Sequence, residues 1–243
     1  MMPAFSFTDP YTDPTPHLLS ALVAPDADVR LIAAQTVRRL PSVAAVPVLI
    51  ARLTDETDDA VLAEVVETLG MLRARDAVSA LLLLATHPDD LVRANVAESL
   101  GWIGTRSPVV TQTLLTLLTD ADEVVRCYAA ESLGDAGEGT QTVLALRQVQ
   151  ETDPSPMVRV WCVYGRAALA GEWDWDALGE AFGDSDALVR RQAFLALRML
   201  VGDETAEAAS TLVRAALMNE TNDDLVAEYQ AFLRSLETGE RFP

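Results

Sequence analysis

The stretch Asp89-Asp90-Leu91-Val92-Arg93-Ala94-Asn95-Val96-Ala97-Glu98-Ser99-Leu100-Gly101 decides how the rest of the chain is read. It occurs again, little changed, as Asp122-Glu123-Val124-Val125-Arg126-Cys127-Tyr128-Ala129-Ala130-Glu131-Ser132-Leu133-Gly134. Weaker copies begin at Asp26, Asp58, Ser155, Asp186 and Asp223. Aligned on the arginine, seven copies place Arg30, Leu62, Arg93, Arg126, Arg159, Arg190 and Ala227 at one position, at intervals of 32, 31, 33, 33, 31 and 37 residues. Second apolar stretches lie between the copies, at 42–53, 76–85, 108–118, 140–149, 175–182 and 205–218. Each unit therefore reads as a short helix, a tight acidic turn and a Val-Arg helix. Two helices per 31 to 37 residues, repeated in tandem, mark a helical solenoid rather than a bundle.

The pattern inside a unit has a physical reason. Counting from Arg93, apolar residues fall one before it and three, seven and ten after it: Val92, Val96, Leu100 and Ile103. At 100° per residue these share one helix face. A small residue four after the arginine, Ala97 or Ala130, lets the paired helix come close. The aspartate four before the arginine is placed to cap the free amides of the helix start. The arginines Arg30, Arg93, Arg126, Arg159 and Arg190 are expected to pair with acidic turn residues of their own or a neighbouring unit, as a structural ladder along the stack. Leu62 and Ala227 break that series, and the longer last interval marks a C-terminal cap.

The segment 89–104, with Val92-Arg93, Ala97, Ser99-Leu100-Gly101 and Ile103-Gly104, resembles HEAT repeats. More specifically, it looks like the short HEAT-like repeats of phycobilisome-lyase-type proteins. The resemblance covers residues 17–237 and implies a fold: all-α, a right-handed α-solenoid of about seven HEAT-like helical hairpins. It says little about function, since such repeats occur in chromophore lyases and in chaperone-like assembly factors alike. The array is expected to fill residues 17–243 as one domain. Residues 1–16, with four prolines and the spaced rings of Phe5, Phe7 and Tyr11, read either as an extended arm or as a cap on the first repeat.

Composition narrows the function classes. Half of the 243 residues are hydrophobic and 6% aromatic, so the core is built mainly from Ala, Leu and Val. The net charge is −19, and all 18 basic residues are arginine. Without lysine the chain has no side-chain amine for a Schiff base or a phosphate loop. A pI near 4.3 opposes binding to nucleic acid or an anionic membrane and favours a basic partner. Cys127 and Cys162 show no metal-ligand spacing and read as buried free thiols, which fits a reducing compartment. The N-terminus lacks a basic segment followed by an apolar core, so a soluble cytoplasmic protein is expected.

Candidate binding residues come from helical phase. A solenoid binds along its concave face, lined by the second helix of each unit. Positions two, five and nine after the arginine give Glu64 and Glu67; Asn95, Glu98 and Trp102; Tyr128, Glu131 and Asp135; Trp161 and Tyr164; and Gln192 with Met199. This row of acids and aromatics suits cationic side chains. Phase alone leaves open whether Trp102 and Trp161 lie at the surface or in the core. The segment Glu172-Trp173-Asp174-Trp175-Asp176 breaks the repeat and is either a contact site or a plug between units. His17 and His87 suggest no triad or metal site, and the nucleotide and nucleophile-elbow motifs are missing, so no catalytic, cofactor or metal residue is assigned. The leading expectation is a non-catalytic scaffold binding a basic protein, as an inhibitor or an assembly factor. The resemblance supplies the alternative, a bilin lyase or isomerase or a tetrapyrrole-handling chaperone. A HEAT-like DNA glycosylase is remote, because it needs a basic groove.

Overall fold

The computed structural model describes residues 15–238. The reading of the N-terminal residues as arm or cap falls almost wholly on 1–14, outside the described residues. Fourteen α-helices and no strands are present among the described residues. They form seven hairpins: α1 (Thr15–Ala21) with α2 (Ala27–Arg39), α3 (Val46–Asp55) with α4 (Asp59–Met71), α5 (Val78–Leu83) with α6 (Asp90–Ile103), α7 (Pro108–Leu117) with α8 (Glu123–Ala136), α9 (Thr140–Thr152) with α10 (Pro156–Ala170), α11 (Trp175–Phe182) with α12 (Ala187–Leu200), and α13 (Ala206–Leu217) with α14 (Asp223–Thr238). The even-numbered helices carry the Val-Arg motif or, in α4 and α14, its variants with Leu62 and Val226 in the arginine place. The result is an all-α solenoid with one continuous apolar core running between two layers of helices.

The turn that opens each even helix is built the same way. The capping side chain accepts from helix amides: Asp58 from Ala60 and Val61, Asp89 from Val92, Asp122 from Val124 and Val125, Ser155 from Val158 and Asp186 from Leu188. In the last unit Asn222 takes this place, accepting from Leu225, while Val226 N–H donates to its carbonyl. The seventh copy is therefore set one residue earlier than the Asp223 alignment puts it, and Val226, not Ala227, stands at the arginine position. From the second unit on, the residue two before the cap is a second acceptor. Glu56, Asp120, Asp153, Asp184 and Glu220 all take the amide of the cap residue.

Those second acceptors receive the arginines of the preceding unit. Arg93 gives Nε and Nη2 to the two oxygens of Asp120 at 2.8 and 2.9 Å, and its Nη1 to the carbonyls of His87 and Pro88 in its own turn. Arg126 does the same with Asp153, Arg30 with Glu56 and Arg190 with Glu220. Each rung ties one turn to the next through a bidentate, charge-assisted pair. Arg159 departs from the expected ladder. It bonds the carbonyls of Asp153 and Pro154 but pairs with no carboxylate among the described residues. The missing rung at Leu62 is matched on the other side: His87 stands where the partner acid would be, and its Nδ1 accepts the Asp89 amide in place of a carboxylate.

The even helices form the tighter layer. Each packs on the next from α2 to α12, whereas the odd helices touch one another much less. Small residues make this approach possible. A Cβ on Gly70 would overlap Ser99, one on Gly101 would overlap Ser132, and one on Gly165 would meet the Ala130 carbonyl. Polar side chains close the seam by bonding the neighbouring helix backbone: Ser99 Oγ donates to the Val66 carbonyl at 2.9 Å and Asn95 Nδ2 to that of Ala63 at 2.9 Å. A stack spaced more closely on one side curves toward that side, so the even helices line its concave face.

Candidate functional site

Residues two, five and nine after the ladder position project from the even helices, and the structure divides them. Glu64, Asn95, Trp161 and Tyr164 are buried. Asn95 is held by its bond to Ala63. Trp161 packs edge-on against Tyr164 with ring centroids 5.5 Å apart, and Tyr164 lies over Gly134, where the missing side chain leaves room for the ring. Its hydroxyl donates to Asp135 at 3.2 Å. Trp161 is therefore a core residue and not part of an open surface. Glu67, Glu98, Trp102, Tyr128, Glu131 and Gln192 are half-buried, and Asp135 is exposed.

Glu67, Glu98 and Glu131 occupy the same position on α4, α6 and α8, with Tyr128 next to the last two in the electrostatic network. They form a row of carboxylates running across the units. Burial is the main force on them, and their like charge adds to it. Glu98 is pushed up to about 8 by burial, then by Glu131 and Glu67. Glu131 is pushed up to about 7 by burial, then by Asp135. Glu67 and Asp135 are raised as well, burial again leading, and the Tyr128 hydroxyl rises to about 12. Neither Glu98 nor Glu131 has a hydrogen-bond or ion-pair partner among the described residues. Half-buried carboxylates left in this condition favour whatever cation can reach them.

One end of the row shows what such a cation does. Arg38, eight residues after the ladder arginine of the first unit, reaches across to α4 and bonds both Glu64 and Glu67 at 2.8 Å. The corresponding residues of the next three units are Gly70, Gly101 and Gly134. Glycine there lets the even helices close, as above, and removes the arginine that would have served Glu98 and Glu131. This alternation of Arg38 with Gly70 and Gly101 is visible in the sequence once the copies are aligned on the ladder position.

The other residues singled out have structural surroundings. Trp173 and Trp175 stack on each other at 4.8 Å and lie against the core. Glu172 between the fifth and sixth units accepts from Arg147 and Arg166, and Asp174 caps α11 while accepting from Gln150. The segment is thus a plug fixed by ion pairs. Burial pushes the thiol of half-buried Cys127 up to about 12 and that of buried Cys162 higher still, so neither is a nucleophile near neutrality. Among the described residues, no three His, Cys, Asp or Glu side chains converge as a metal site requires, and no helix is long and apolar enough to cross a membrane.

Stacked hairpins joined turn to turn define an α-solenoid repeat protein. The family model for HEAT repeats matches residues 15–101, 46–134 and 111–198, and the chain belongs to the HEAT-repeat family. No curated protein matches it by sequence. Among solved structures, the complex of CpcE and CpcF of phycocyanin lyase from Nostoc sp. PCC7120 is similar at a TM-score of 0.70 and 21% identity, over 97% of this chain and 99% of that one. The YibA protein of Escherichia coli is similar at 0.53 and 17%, over 90% and 92%. Both likenesses are of fold.

Proposed function

We propose that the chain is a non-catalytic scaffold whose concave face takes a basic segment of a partner protein, as an inhibitor or an assembly factor. The observation that carries this reading is Arg38 on Glu64 and Glu67. An arginine from a partner would do at Glu98 and Glu131 what Arg38 does one unit earlier, and it would find two carboxylates with no internal claim on them. Tyr128 and Trp102 offer ring faces to the same cation. The net charge of −19 draws a basic partner in and speeds encounter. An arginine-rich peptide tests the face directly. Glu98→Arg with Glu131→Arg is expected to slow its association by about tenfold or more and to leave the circular-dichroism spectrum unchanged. Unaltered rate constants in that variant would remove the site from the even-helix face.

A second reading is supported by the likeness in fold to the CpcE and CpcF complex of phycocyanin lyase over nearly the full length of both chains. A tetrapyrrole could place its pyrrole N–H groups on Glu98 and Glu131 and a ring against Tyr128. Mixing the protein with a free bilin tests this. A shifted visible absorption band that is lost in the Glu98→Gln, Glu131→Gln variant supports the tetrapyrrole reading, and an unshifted band rejects it.

A further inference from the structure

The six connections between units follow one another along one edge of the solenoid, and the charge of their residues changes sign at the midpoint. The first three connections are residues 40–45, 72–77 and 104–107. They carry Arg73, Arg75 and Arg106, with Arg39 at the end of α2 just before the first of them. Asp76 is the one acidic residue in these three segments. All four arginines are exposed, and none is ion-paired among the described residues. Arg106 donates Nε to the Asp135 carbonyl, and Arg106 and Arg73 both act on the Asp135 carboxyl against its burial, which leaves Arg39 and Arg75 outside any ion pair among the described residues in a chain with twice as many acids as bases. The last three connections, residues 137–139, 171–174 and 201–205, contain no basic residue. They carry Glu138, then Glu172 and Asp174, then Asp203 and Glu204, and Asp176 follows in the first turn of α11.

An edge that is basic in its first half and acidic in its second is complementary to itself after a half-turn. We propose that two copies of this chain associate through this edge in an antiparallel, two-fold arrangement. A two-fold interface pairs each contact with its mirror contact in the other direction, so every charge pair is made twice. In that register Arg106 faces Glu138 of the second copy, Arg73 and Arg75 face Asp176, and Arg39 faces Asp203 and Glu204. Of the 28 residues in the six connections, Ala45, Ala74, Ala77 and Gly137 are buried, and the remaining 24 lie within the span of about 20–30 residues a side of a stable interface. Exposed Leu40 and Val43 in the first connection and half-buried Trp173 in the fifth add apolar surface to the same edge. The overall charge of each chain opposes association, so the alternation along the edge must supply both the attraction and the register.

Charge reversal in two complementary sets tests the arrangement. One variant carries Arg39→Glu, Arg73→Glu and Arg75→Glu; the other carries Asp176→Arg, Asp203→Arg and Glu204→Arg. All six positions are exposed, and circular dichroism and melting temperature check that both variants fold. By sedimentation, the unmodified protein is expected to be a dimer, each variant alone a monomer, and an equal mixture of the two a dimer again. The mixture restores every pair only if the two edges run antiparallel. An unmodified chain that stays monomeric at tens of micromolar overturns the proposal. Should that monomer bind poly-glutamate through the same arginines, the edge belongs to an anionic partner instead. Variants that dimerise alone, or a mixture that does not, also overturn it.

Discussion

Glu98 and Glu131 bear the strongest consequences of any single residues. In an unfolded chain both carboxyls titrate near about 4.3, whereas in the fold they hold their protons to about 8 and about 7. Between about pH 4.5 and 8 the folded protein therefore binds more protons than the unfolded one, and stability falls as pH rises through that window. The ladder acids act in the opposite sense. Arg190 and the turn amides outweigh the burial of Glu220 and bring it to about 2; Glu56, despite burial as the largest influence, is brought to about 2 by Arg30 and the same kind of amides. Their contribution is present above the unfolded value and lost as pH falls toward 2. The melting temperature should thus peak on the acid side of neutrality, and Glu98→Gln with Glu131→Gln should flatten the decline toward pH 8. A peak above pH 8 in scanning calorimetry would contradict these assignments. The ladder makes its own prediction. Arg126→Ala strands Asp153, whose side chain is only 7% exposed, and should cost about 2–4 kcal/mol. Arg159→Ala loses two carbonyl bonds and no ion pair and should cost about 1 kcal/mol by denaturant unfolding. Equal costs would mean that the rungs add nothing beyond local turn bonds.

At the level of the helix pair, spacing within the even layer depends on glycine. Gly101→Ala places a Cβ into Ser132 and must force α6 and α8 apart, with an expected cost of about 1–3 kcal/mol despite the better helix propensity of alanine. Gly202→Ala meets nothing within 4 Å and should be neutral or slightly stabilising. Trp161→Ala should cost about 3–5 kcal/mol, because it empties a packed site against Tyr164. The hairpins themselves were legible in the sequence, since a 3.6-residue stripe, a short polar capping side chain and a near-constant repeat length recur along the chain, with the last unit, capped by Asn222, set one residue off. Parts that depend on two units at once were not. The fate of Trp161 turns on Gly134 in the preceding unit, and Arg159 makes no rung although Asp184 holds the corresponding place in the next. The stretch 76–85 reads as a single helix but is split, with 3-10 turns at 75–77 and 84–86 on either side of α5. Apolar periodicity does not distinguish a six-residue helix flanked by tight turns from a longer continuous one.

Across the whole molecule, the repeat turns one local pattern into surfaces of defined character. The carboxylates Glu67, Glu98 and Glu131, five after the ladder position of the second to fourth units, line up because the units stack in register, and the internal arginine stops at Arg38 because the next three units have glycine in its place. The charge of the connecting edge follows from the same stacking. A cation entering the row must displace protons from Glu98 and Glu131, so binding and proton release are linked. The most direct test of the central claim is isothermal titration of an arginine-rich peptide at pH 6.5, repeated in buffers of different ionisation enthalpy. The account predicts net release of about one to two protons on binding, tighter affinity as pH rises toward 8.5, and loss of both effects in Glu98→Gln, Glu131→Gln. Binding with no proton release, or binding that this substitution leaves unchanged, would contradict it.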